Sequence, residues 1–144
     1  MQNGTSGLVD LRLSSSNLLP YSELDVRGVA SFIASIQRSD GEIPWAVGQK
    51  SDPWDHIESA MGLSVGGYYK EARRAFQWLA DRQLKDGSWY TAYRQGIAED
   101  KTRDANLSPY VAVGLFHHYL ITEDRTLLTQ MWPTLCRAIN FALS

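Results

Sequence analysis

A helix end that leads into Gln and then Asp-Gly occurs twice in this chain. Gln37, Asp40 and Gly41 recur 46 residues later as Gln83, Asp86 and Gly87. An apolar helical pattern precedes each copy, and a tryptophan follows, Trp45 in the first and Trp89 in the second. A repeat of this period means stacked supersecondary units, each needing a neighbour to bury its apolar face. The residue types suit a joint between helices. A Gln side chain can satisfy orphan carbonyls at its own helix end and backbone groups at the start of the next. Gly permits a left-handed turn, and Trp fills the space between successive units.

Around these joints the sequence predicts five helices. Residues 1–21, rich in Gly, Ser and Asn, read as a flexible lead-in with one short extended piece near Leu8–Leu13. Ser22 opens the first helix, with Glu23 and Asp25 in its first turn and Val26, Val29, Ile33 and Ile36 on one face, ending near Gln37. Asp52-Pro53 reads as an N-cap with proline at the first position of a helix over 53–65. Its small-residue side, Ser59, Gly62 and Gly66, permits close helix approach, and Gly66-Gly67 stops it. The third helix, 68–83, is amphipathic. A long loop, 84–105, follows. The fourth begins between Asp104 and Pro109 and runs to Ile121; Val111, Val113, Leu115, Phe116 and Leu120 cover most of its circumference, which predicts burial on nearly all sides. Thr122–Asp124 turns into a fifth helix, with Leu128, Met131, Leu135 and Ala138 in its stripe. Amphipathic helices thus alternate with more fully apolar ones, as two concentric layers require. The expected fold is all-α, with residues 22–144 as a hairpin-repeat domain.

The length of 144 residues bounds the chain to one domain, and its 44% hydrophobic and 21% charged residues are those of a soluble globular protein. A net charge of −2 gives no basic face for nucleic acid. Cys136 stands alone, which rules out an internal disulfide and fits a reducing compartment. No apolar run is long enough for a membrane span, and the N-terminus lacks the pattern of a signal peptide. The expected location is cytoplasmic.

Gln83-Leu-Lys-Asp-Gly87-Ser-Trp89, preceded by Arg74-Ala75 and Trp78-Leu79, resembles the Gln–Trp repeat of squalene and terpenoid cyclases. Asp52-Pro-Trp-Asp-His-Ile-Glu58, Asp104-Ala-Asn106, Gly114-Leu-Phe-His-His118 and Met131-Trp-Pro133 look like a bacterial prenyltransferase-like toroid family and glucoamylase-like six-hairpin glycosidases. The resemblance covers residues 22–144 and implies an α/α toroid of six helical hairpins. Five helices make two and a half hairpins, so the expected form is a partial, open ring. With Phe141 set against Phe32 and Trp78, the next Gln falls two residues beyond Ser144. The expectation is an N-terminal portion of a longer protein, or one part of an assembly. An open half-ring also invites self-association through its bare apolar flank.

In such toroids the working cavity lies at the N-terminal ends of the inner helices, here lined by loops 38–54 and 84–106. Acids beside exposed aromatics suit a sugar, whose apolar faces stack on rings while carboxylates do acid/base work. Asp55 and Glu58 lie one turn apart and can share a face. Glu58 is the expected general acid, with Asp104 across the cavity as partner or base. Trp45, Trp54, His56, Tyr93 and Asn106 are the candidate substrate-binding residues. Structural roles compete. Asp52 and Asp55 also suit helix capping, Asp40 and Asp86 suit the Asp-Gly turn, Trp45 and Trp89 suit packing between hairpins, and His117 and His118 suit the core.

Signals for other chemistries are missing. The sequence has no Asp-x-Asp-Asp, no Asp-Asp-x-x-Asp, no zinc spacing and no phosphate-binding Gly loop, and no metal or cofactor is expected. The first expectation is therefore a glycoside hydrolase using acid/base carboxylates on a carbohydrate. The second is a terpenoid cyclase or prenyltransferase-like protein with an isoprenoid ligand. The third is a non-catalytic helical-repeat module for binding or assembly.

Overall fold

The computed structural model describes residues 25–144. The lead-in at 1–21 and the Ser22 cap lie outside the described residues. The chain is all-α apart from one small hairpin: α1 (Val26–Ile36), α2 (Pro53–Val65), α3 (Tyr69–Arg82), β1 (Ala92–Arg94), β2 (Ile97–Asp100), α4 (Tyr110–Thr122) and α5 (Arg125–Leu143). Asp25 is the N-cap of α1 rather than a first-turn residue, its carboxylate accepting from the Gly28 amide. Helix α2 touches α1, α3 and α4, while α5 packs on α3 and α4. The helices therefore form two rows, α1, α3 and α5 in one and α2 and α4 in the other.

The two joints are the same structure built twice. Gln37 Nε2 donates to the Gly41 carbonyl at 3.1 Å and to the Glu71 carbonyl of α3 at 2.9 Å. Gln83 Nε2 donates to the Gly87 carbonyl at 3.0 Å and to the Thr134 carbonyl of α5 at 2.8 Å. An arginine three residues beyond each carbonyl, Arg74 or Arg137, donates back to the Gln side-chain oxygen, at 2.9 Å and 2.8 Å respectively. Gly41 and Gly87 have φ of +101° and +95°, and a Cβ there would lie 2.3 Å and 2.1 Å from the carbonyl oxygens of Arg74 and Arg137. Only glycine meets both demands.

The register of this repeat corrects the pairing of the tryptophans. Trp89 is buried, and its Nε1 donates to the Leu79 carbonyl at 2.7 Å. Forty-six residues before it stands Ile43, equally buried, and not Trp45, which is 52% exposed. The core joins Ile57, Leu63, Phe76, Trp78, Leu79, Trp89, Val111, Leu115, Leu127 and Met131. Each large side chain so buried is worth about 1.5–3 kcal/mol.

Two expectations need correction. The segment 84–105 contains the antiparallel pair β1–β2, closed by Gln95 and Gly96 with φ of 52° and 74°. Two positive φ values in a two-residue loop match the right-handed twist of its strands. Ser51 and Tyr93 exchange backbone hydrogen bonds, both 2.8 Å, tying the loop before α2 to this hairpin. The second concerns α4, which is not buried on all sides: Val113, Phe116 and Leu120 are 49%, 59% and 63% exposed. The described residues cover only its Val111, Gly114, Leu115 and His118 face. No described helix is long and apolar enough to cross a membrane.

Candidate active site

The first turn of α2 organises the site. Asp52 caps the helix through Oδ1, which accepts from the Asp55 amide at 3.0 Å. Its other oxygen accepts from Trp45 Nε1 at 2.6 Å, so one carboxylate both starts the helix and pins the indole. Lys50 Nζ lies 4.4 Å from the centre of the Trp45 ring, a cation–π contact that fixes the ring further.

Asp55 and Glu58 emerge one turn apart on α2 and line the same recess as Trp45, a cavity of about 440 Å³ between α1, α2 and the loop after α1. The Asp55 carboxyl titrates above the ordinary aspartate range. Partial burial is the main cause, and the neighbouring charge of Asp52 adds to it. Both effects favour the protonated form of Asp55. Glu58 is gripped instead: its Oε1 accepts from Trp54 Nε1 at 2.8 Å and from the Tyr110 hydroxyl at 3.2 Å. Those two donors are themselves stacked, ring centres 3.9 Å apart and planes 2° from parallel. On their far side Trp54, Asn106, Pro109, Tyr110 and Val113 line a second, open recess of about 580 Å³.

Among the expected site residues, Trp45, Trp54, Asp55, Glu58 and Asn106 thus line these two adjoining recesses. Three others do not. His56 is wholly buried: its Nδ1 accepts from the Ile43 amide at 3.1 Å and its Nε2 faces the Ala75 carbonyl at 2.9 Å. An amide can only donate and a carbonyl only accept, so the ring is the neutral Nε2–H tautomer, and burial lowers its pKa to about 4. Its place at the fourth position of α2 turns it to the core side, against Trp78. Tyr93 is buried edge-on to Trp78, with its hydroxyl accepting from the Tyr90 amide at 3.0 Å. Asp104 turns onto its own loop, its Oδ1 accepting from the Asn106 amide at 2.7 Å, and belongs to neither lining.

Tyr110 escaped the reading of the sequence, although it opens α4 just as Trp54 opens α2. The signal was there: an aromatic directly after Pro109 at the start of an inner helix. Among the described residues no group of three or more His, Cys, Asp or Glu could hold a metal ion.

No family model matches the chain. It is 45% identical over 117 residues, 81% of its length, to a protein of Mycolicibacterium hassiacum named MMP endo-(1,4)-3-O-methyl-alpha-D-mannosidase. Those residues amount to 33% of that mannosidase, so the chain spans about a third of the length of the curated relative it matches.

Proposed function

We propose that this chain carries catalytic carboxylates of a glycoside hydrolase acting on α-linked mannoside chains. The observation that carries the reading is the placement of Asp55 and Glu58 in one recess with Trp45, next to a second recess bordered by Trp54 and Asn106. Likeness to a protein named as an endo-mannosidase supports it. In the proposed reaction Asp55 donates its proton to the glycosidic oxygen as the bond from that oxygen to the anomeric carbon breaks. Water supplies the hydroxyl to the anomeric carbon, and its proton passes to the Glu58 carboxylate. This reverses the general-acid role first expected for Glu58. The Trp54 and Tyr110 donors hold Glu58 as an acceptor, while Asp55 is partly buried beside Asp52, which favours its protonated form. Trp45 and Trp54 offer ring faces to the sugars on either side. The two rows of helices joined by Gln37 and Gln83 are read as an arc of an α/α ring.

The test is hydrolysis of α-1,4-linked mannoside oligosaccharides, free or 3-O-methylated, by the protein carrying this chain. Asp55→Asn and Glu58→Gln are each expected to cut turnover by about 10²–10⁴-fold with the fold intact by circular dichroism. Unchanged turnover in both variants would remove the carboxylates from the mechanism.

A further inference from the structure

The recess at Asp55 and Glu58 has two chemically distinct walls. Its polar lining, Asp55, Glu58 and Ser59, comes entirely from α2. Everything contributed by α1 and the loop after it is Phe, Ile, Pro or Trp: Phe32, Ile33, Ile36, Ile43, Pro44 and Trp45. The only polar atom among those six side chains is the Trp45 Nε1, and it is already bonded to Asp52. A ligand lying against the α1 wall therefore finds no side-chain hydrogen-bond partner there, while its opposite edge meets two carboxyls and a hydroxyl.

Unmodified hexoses carry hydroxyls around the whole ring. A hydroxyl pressed against Phe32 and Ile36 would lose its water without gaining a partner, which is unfavourable. A methyl ether at the same position puts a CH₃ on the apolar wall and has no proton left to donate. We propose that Phe32, Ile36 and Pro44 form a specificity subsite that recognises an O-methyl substituent on the sugar bound over Asp55 and Glu58. The inference rests on the hydrolase reading above and deepens it by assigning these residues.

Two observations add to the geometry. Phe32 is 59% exposed, a large ring left in water beside the acids. Its counterpart 46 residues later is Trp78, which is fully buried beneath Tyr93. The repeat thus uses the same helical position as packing in one copy and leaves it uncovered at the recess in the other.

The test compares 3-O-methylated with unmethylated α-1,4-manno-oligosaccharides of equal length, by kcat/KM and, separately, by calorimetric binding to the Glu58→Gln protein. The native wall should favour the methylated series by about 10- to 200-fold, the range for one methyl in an apolar pocket. Phe32→Ser and Ile36→Asn should each reduce that ratio at least several-fold. If Ile36→Asn fails to fold, Phe32→Ser at its exposed position carries the test. Equal treatment of the two series by the native protein, or a ratio untouched by Phe32→Ser, would overturn the subsite. Failure to bind either series would overturn it too. Preferential binding without cleavage would overturn the hydrolase reading and leave the subsite standing.

Discussion

Trp54 and Tyr110 face each other with ring centres 3.9 Å apart, and both donate to one oxygen of Glu58. The stack joins the first turn of α2 to the first turn of α4, so two separate helices set the direction of one carboxylate. Tyr110→Phe deletes a single hydrogen bond and keeps the stack. A bond of this kind is worth about 1 kcal/mol, so kcat/KM should fall about 3- to 10-fold with little change in melting temperature. Trp54→Ala removes the other donor and the stack together, and its loss should exceed that of Tyr110→Phe. Steady-state kinetics on mannoside oligosaccharides with parallel thermal melts would separate the two. A Tyr110→Phe protein indistinguishable from the native one would mean that Glu58 needs no such hold.

The Gln joints should behave as equivalents. Gln83→Ala strands the Gly87 and Thr134 carbonyls and the Arg137 guanidinium, and Gln37→Ala strands the matching set at Gly41, Glu71 and Arg74. Partly buried groups left without partners cost about 1–3 kcal/mol. Urea unfolding should show a loss of that size in each variant, with the m-value unchanged. A loss below about 0.5 kcal/mol, the level of ordinary surface substitutions, would show that the joint is only descriptive.

These joints were the most legible part of the chain, because each depends on residue types at fixed spacing and on contacts that the repeat itself reveals. Helix α2 was legible down to its cap, since Asp52-Pro53 states its start locally. The β1–β2 hairpin was not, because its strands are three and four residues long and its turn is Gln-Gly rather than Asn-Gly. At the site, Asp55, Glu58 and Trp54 could be read as one helical face. The inward turn of His56 could have followed from the same periodicity, two residues from Trp54 and one from Asp55. The role of Trp45 could not, since a motif tolerant of one or two residues aligns it with Trp89, and only the hydrogen-bond register puts Ile43 there. The open side of α4 was unreadable because an apolar circumference reports what a helix can cover, not what covers it.

Close helix approach at two glycines offers a sharper test of packing. A Cβ on Gly66 would lie 2.1 Å from the Ala30 Cβ, and one on Gly114 would lie 2.3 Å from Ile57 Cγ2. Gly66, the C-cap of α2, meets α1, and Gly114 of α4 meets α2, so each clash must push elements apart. Gly66→Ala and Gly114→Ala should each destabilise by about 1–3 kcal/mol despite the better helix propensity of alanine. Ala30→Gly should recover part of the Gly66→Ala loss, because it removes the methyl being struck. Additive effects in that double-mutant cycle would argue against direct contact.

His56 makes stability depend on pH in a defined direction. Its folded-state pKa is about 4, against an ordinary value of 6.5, because burial disfavours the charged ring. The unfolded chain therefore takes up the proton first as pH falls. The stabilising contribution is fully present above about 6.5 and is lost progressively as pH falls through about 4. The slope should approach 1.4 kcal/mol per pH unit between those values, for a total of about 3 kcal/mol. Burial lowers the pKa of His118 as well, and it adds in the same sense. Urea unfolding at steps from pH 7.5 to 4.5 should show the midpoint falling steadily. His56→Gln should start less stable at pH 7.5 and show a shallower slope. A His56 ring resonance that titrates near pH 6.5 in the folded protein would contradict the buried, neutral imidazole on which this expectation rests.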